Sequence, residues 1–183
     1  MWMILQRLRS LTRVLRRDPS FAALTCAAWV ILVISRGVIT LFPLRRISSL
    51  LGKQLYETPE HGIPVERLVR VRKIRRAIHK AQPHTPTNSN CYPQALTAYA
   101  LLRCFRLAST FYYGVAFDAD GTQLETHVWI RSGPVFVTGA PEYLKFATVG
   151  SYASTPRRGD EPPVPVVLAA PAQSSRSSEE AKE

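Results

Sequence analysis

The apolar residues of this chain change their spacing once, and that change fixes the class of fold. Leu68, Val71, Ile74 and Ile78 recur three and four residues apart, which predicts a helix over 66–81. Residues 82–90 (QPHTPTNSN) are loop by composition. Tyr92, Ala95, Leu96, Tyr99 and Leu102 then repeat the helical spacing. They predict a second helix beginning at or next to Cys91, with Ser89 or Asn90 as cap and Pro93 in its first turn. From residue 110 the pattern becomes that of strands. TFYYGVAF (110–117) is aromatic and β-branched, Asp118 to Gly121 is a turn, and Thr122 to Arg131 returns as a second strand. Ser132-Gly133-Pro134 turns again into Val135-Phe136-Val137. Helices followed by an antiparallel meander make an α+β domain.

The N-terminal part is different in kind. Residues 1–17 carry Arg7, Arg9, Arg13, Arg16 and Arg17, and an apolar run from Phe21 to Ile34 follows. That run falls short of the ~20 apolar residues a straight span needs, and extending it to Phe42 brings in Arg36 and Gly37. A basic stretch before an apolar one is also the order of a secretory signal, but Ser35-Arg36-Gly37 is a poor cleavage site. We read the run as a helix that packs on the domain or lies at an interface, with peripheral membrane contact through 21–42; a true span is the second alternative and a secretory signal the third. The expected location is cytoplasmic, with or without membrane association. Pro43 ends the run, Leu44 to Gln54 forms a short amphipathic stretch with a Gly stop, and 56–65 is loop. The tail from about Ser154 is rich in Pro, Ala, Ser and Glu and is expected to be disordered. The expected organisation is an N-terminal helical region (1–55), a catalytic domain (56–153) that includes the basic helix, and a tail (154–183).

Twenty-four Lys and Arg against 13 Asp and Glu give a net charge of +11, which favours acidic partners. Much of this charge sits on the 66–81 helix, where Arg72, Arg75 and Arg76 lie off the apolar stripe. They form either a solvated face or a docking surface for an acidic peptide or a membrane. No aromatics are interleaved with them, which argues against nucleic acid. The three cysteines, Cys26, Cys91 and Cys104, form no CxxC pair and no zinc-type cluster with histidine, so reduced thiols are expected.

A helix N-terminus favours negative charge, so a thiol placed there is favoured as thiolate, the nucleophilic form. Cys91 has that place, whereas Cys26 and Cys104 do not. His127 lies mid-strand in TQLETHVWIR. Alternation sets Glu125, His127 and Trp129 on one face and Thr126, Val128 and Ile130 on the other. An imidazole beside the helix start can take the thiol proton and return it to a leaving amine. His84, in the loop before Cys91, is a rival base; His61 and His79 read as surface residues. Taken singly, a cysteine at a helix start and a histidine in a strand are more often structural than catalytic.

The order of motifs adds to this. Cys91-Tyr92-Pro93-Gln94-Ala95-Leu96, then Gly114-Val115, then His127-Val128-Trp129-Ile130 resembles the transglutaminase-like domain of lasso-peptide leader peptidases, the microcin-processing B-protein family. The upstream Leu41-Phe42-Pro43-Leu44-Arg45-Arg46 run and the basic helix extend the likeness over residues 20 to 152. The resemblance implies a papain- and transglutaminase-like core with Cys91 as nucleophile and His127 as base. It implies removal of a leader from a ribosomally made precursor peptide through a thioester, without metal or cofactor. It implies two partners, a separate leader-recognition protein and an ATP-dependent macrolactam synthetase. The oxyanion hole would use the Cys91 backbone N–H and a second donor, Gln94 or an asparagine of the preceding loop. One position departs from the family, which has an Asp on the strand after the histidine. Val135 to Gly139 holds no carboxylate. Glu142 is the nearest substitute, and Thr138 or a backbone carbonyl could orient the ring instead. The rival readings are a catalytically inactive scaffold and a membrane-associated binding protein dominated by its N-terminal helix.

Overall fold

The computed structural model describes residues 18–86, 90–118, 120–155 and 160–166. Two long helices cover one face of a five-stranded antiparallel sheet, and a third packs on those two. Helix α1 is Pro19–Leu41, α2 Leu44–Ser48, α3 Val65–Ala81 and α4 Cys91–Cys104. Strands β1 (Lys53–Gln54), β3 (Ser109–Phe117), β4 (Leu124–Ser132), β5 (Val135–Thr138) and β6 (Ala147–Ser154) form the sheet in the order β1-β6-β3-β4-β5. β2 (Tyr56–Glu57) and β7 (Val164–Pro165) pair separately.

Each long helix starts and stops for local reasons. Asp18 caps α1 by accepting the Phe21 N–H at 2.9 Å, with Pro19 in the first turn. The Ser20 hydroxyl, the Phe21 N–H and Lys73 together hold its carboxyl down at about 2. The stabilisation from this cap is therefore complete above the ordinary value of 3.8 and is lost as pH falls through about 2. Helix α1 runs on through Arg36 and Gly37 and ends at Phe42, just before Pro43.

One core joins the two layers. Leu24, Ala28 and Leu32 of α1 meet Val71, Ile74 and Ile78 of α3 and Ala95, Ala98 and Leu102 of α4. Phe111, Val128, Ile130 and Val137 close it from the sheet. Each large apolar side chain buried here contributes about 1.5–3 kcal/mol. Helix α1 thus belongs to the same core as α3 and α4. Residues 1–17 and most of the expected tail lie outside the described residues. Within that tail, however, β7 pairs with β2 and Asp160 accepts from Arg67 at 2.7 Å, so 160–166 is not a free end.

The other face of the sheet is aromatic. Tyr112 stacks on Trp129 at 5.4 Å, and Phe136 stacks on Tyr143 at 4.3 Å. Arg131 lies beneath them, 2% exposed. Its Nε donates to the Tyr112 hydroxyl at 3.0 Å, Nη1 to the Gly133 carbonyl at 3.0 Å and Nη2 to the Thr58 carbonyl at 2.9 Å. Glu57 and Glu60 balance its charge, each at 3.5 Å. Truncating one partner of a buried charged network costs far more than the network's net contribution, because the remaining groups are stranded. Arg131→Ala is expected to lower stability by about 3–5 kcal/mol in chemical denaturation. Arg131→Lys should recover little of that loss, since an ammonium cannot reproduce the guanidinium fork.

Candidate active site

Helix α4 begins at Cys91, as its sequence requires. Asn90 supplies the extended cap backbone but no side-chain cap bond, and Ser89 lies outside the described residues. Its first intrahelical donor is Gln94 N–H, which reaches the Asn90 carbonyl at 3.4 Å. Pro93 has no N–H to give. The Cys91 and Tyr92 N–H groups make no hydrogen bond among the described residues. Among the described residues the start of α4 therefore presents two donors without a partner, and the positive end of the helix dipole, beside the thiol.

The thiol is aimed at the sheet. Cys91, Ala95, Ala98 and Leu102 fall on one stripe of α4, and the last three are fully buried. Cys91 is half-buried and packs against the same core. Tyr92 stands edge-on to Phe111 at 6.3 Å. Its hydroxyl is buried without a hydrogen-bond partner, and burial first, then the neighbouring Tyr113 and Tyr152, push it up to about 12.

His127 stands on β4 opposite Gly114 of β3. Gly114 is required there, because a Cβ would come within 2.7 Å of the Trp129 ring. The imidazole is sandwiched, with the Phe146 ring centroid at 4.9 Å and that of Trp129 at 5.9 Å. Its Nε2 lies 3.2 Å from the Gly139 carbonyl oxygen. A carbonyl only accepts, so Nε2 carries the proton and Nδ1 is left with the lone pair of a base. Gly139 has φ +80, and a Cβ at that position would collide with Trp129. The glycine lets the chain cross close over β4 and bring its carbonyl to the ring.

Cys91 opens the helix that packs on β4, the strand that carries His127. The side chains leave from different faces. Val128 and Ile130 enter the core under α4, whereas His127 shares the opposite face with Trp129. No hydrogen bond joins Cys91 to His127 among the described residues.

The other expected site residues are placed as follows. Glu142 is exposed on the turn Glu142–Lys145, and among the described residues its carboxylate makes no hydrogen bond or ion pair; it is Gly139 that meets the ring. Thr138 is buried with an unpartnered hydroxyl and does not touch the ring either. Gln94 is half-buried on the first turn of α4, three residues from Cys91. Arg72, Arg75 and Arg76 are all exposed on α3. His84 is exposed, its carbonyl accepting the Trp29 indole N–H at 2.8 Å. Cys26 and Cys104 are both exposed free thiols.

A family model for the transglutaminase-like superfamily matches residues 38–151, which take in α4, β3 and β4 with Cys91 and His127. The chain belongs to the transglutaminase-like superfamily. No curated protein and no solved structure matches it. The α+β arrangement of helices on a five-stranded antiparallel sheet is consistent with a transglutaminase-like core. Membership of the superfamily implies chemistry of the thiol hydrolase or acyl-transferase kind.

The cysteines give a direct test. Cys91 is the least exposed of the three, so accessibility alone would favour alkylation of Cys26 and Cys104. Near neutral pH iodoacetamide should nevertheless label Cys91 fastest, as read by mass spectrometry of partly labelled protein. Faster labelling of Cys26 or Cys104 would show that the helix start does not activate the thiol.

Proposed function

We propose that this chain is a cysteine peptidase that removes the leader from a ribosomally made lasso-peptide precursor. The observation that carries the reading is His127, whose Nε2 is engaged by the Gly139 carbonyl so that Nδ1 is left with the lone pair of a base. In this mechanism Nδ1 takes the Cys91 proton, and the thiolate attacks the carbonyl carbon at the end of the leader. The oxyanion is held by the Cys91 and Tyr92 N–H groups. The imidazolium then protonates the leaving amine, which departs as the new N-terminus of the core peptide. A water, deprotonated by the same imidazole, attacks the leader thioester, releases the leader acid and restores the thiol. Ring and thiol must come within hydrogen-bond reach for the first transfer. That closure takes more than a tightened hydrogen bond, because the two side chains leave from different faces, and it is the step that substrate binding must supply. A separate leader-recognition protein presents the precursor, and an ATP-dependent macrolactam synthetase consumes the released core.

A second reading has an observation in its favour. The lack of a hydrogen bond between Cys91 and His127, with no carboxylate on the ring, fits an inactive relative that scaffolds precursor and synthetase. One assay separates the two: precursor and recognition protein incubated with each variant and read by mass spectrometry. The peptidase reading expects slow cleavage by wild type and none by Cys91→Ala or His127→Ala. Glu142→Gln should change the rate by less than about threefold, because the carbonyl already occupies Nε2. Equal cleavage by wild type and Cys91→Ala would leave the scaffold.

A further inference from the structure

Helix α1 has two unlike faces, and its outer one has no partner among the described residues. Ala23, Cys26, Ala27, Val30, Ile34, Gly37 and Leu41 fall on one face of the helix, and every one of them is exposed. None is charged. The stripe is about 27 Å long, with Val30 48%, Ile34 57% and Leu41 74% exposed and Phe42 continuing it. An unbroken apolar stripe of this length is unusual on a soluble monomer. The most apolar part of α1 has a mean hydropathy of 2.0, and 28% of it is buried.

The inner face excludes a span. Ala28 and Leu32 are fully buried against α3 and α4, and the Ser35 hydroxyl is hydrogen-bonded to that of Thr97 at 3.3 Å. Drawing α1 across a bilayer would strip these contacts from the core. What remains is a helix that lies in an interface, apolar face inward and body in water.

The charge around α1 names the surface. Helix α3 packs beside it. Phe21 of α1 and Arg75, Arg76 and Lys80 of α3 line one shallow hollow, with the Arg76 guanidinium 5.2 Å above the Phe21 ring. Residues 1–17 add five arginines and no acidic residue, and Arg46 is exposed beyond the far end of α1. We propose that the outer face of α1 and the basic face of α3 dock the protein on an anionic lipid surface, peripherally and without spanning it. This does not depend on the peptidase reading.

Co-sedimentation of the full chain with vesicles tests it. Phosphatidylglycerol–phosphatidylcholine vesicles should bind at least about tenfold more strongly than phosphatidylcholine alone, and the binding should weaken steeply with salt. The double variant Val30→Asp, Ile34→Asp should abolish binding while keeping the wild-type circular dichroism, since both side chains point outward. Arg72→Glu, Arg75→Glu, Arg76→Glu should lower binding at least about tenfold. Absence of sedimentation with either vesicle would overturn the proposal. So would binding that survives both alkaline carbonate and the charge reversal, which is the behaviour of a span. A dimer in light scattering that the aspartate variant dissolves, without vesicle binding, would assign the stripe to a second copy instead.

Discussion

The packing of α4 on β4 is the contact on which the rest of the structure depends. It is made by Ala95 and Ala98, both fully buried, over Val128 and Ile130. Small side chains let the helix backbone approach the sheet closely, and the same stripe carries Cys91 one turn further along. Larger residues would lift α4 and with it the thiol. Helix α1 bears on α4 from the other side through the Ser35–Thr97 hydrogen bond, and α3 closes the remaining flank with Val71, Ile74 and Ile78. The helix that starts at the candidate nucleophile is therefore the most enclosed of the three, which is what a fixed attacking group needs.

What could be read from the sequence follows from where the physics is local. Helices α3 and α4 were legible because their stripes are periodic, and β3 to β5 because aromatic and β-branched residues alternate between turns. The first turn runs longer than its composition implies. Asp118 accepts both the N–H and the hydroxyl of Thr122, at 2.7 and 3.1 Å, which holds Thr122 out of β4 until Leu124. β6 left no trace in the pattern. Its ATVGSYAS is small and polar, and it is a strand because β3 pairs along it from Ser109 to Val115. β1, β2 and β7, two residues each, are likewise products of tertiary pairing. Helix α1 continued through Arg36 and Gly37 because its inner face is held by α3 and α4, a tertiary effect that overrides local propensity.

The site was legible in the same uneven way. The place of Cys91 at a helix start and the alternation around His127 are properties of letters and spacing. The partner of His127 is not, since a backbone carbonyl has no letter of its own. Gly139 is the nearest thing to a signal. It follows the last residue of β5 and its φ of +80 is one that glycine adopts freely, so a sharp departure of the chain there could be anticipated but not its target. The face on which His127 lies followed from alternation. That this face is opposite to α4 did not, because the side taken by the helices is decided by which strand face is more apolar in three dimensions.

A carbonyl and a carboxylate do different things to an imidazole. Both fix the tautomer by taking the Nε2 proton as a hydrogen bond, and both fix the plane of the ring. Only the carboxylate adds a negative charge that stabilises the imidazolium formed during catalysis. In a serine enzyme that charge matters greatly, because the neutral hydroxyl offers none before attack. In a thiol enzyme the thiolate itself is the counter-charge, at the start of a helix whose dipole supports it. The Phe146 and Trp129 rings on either side of His127 take over the other task of a third residue, holding the imidazole against rotation out of its plane. The absence of an acidic residue between Val135 and Gly139 therefore removes electrostatic support from one protonation state while leaving orientation intact. Such a site is better suited to slow acyl transfer than to fast turnover.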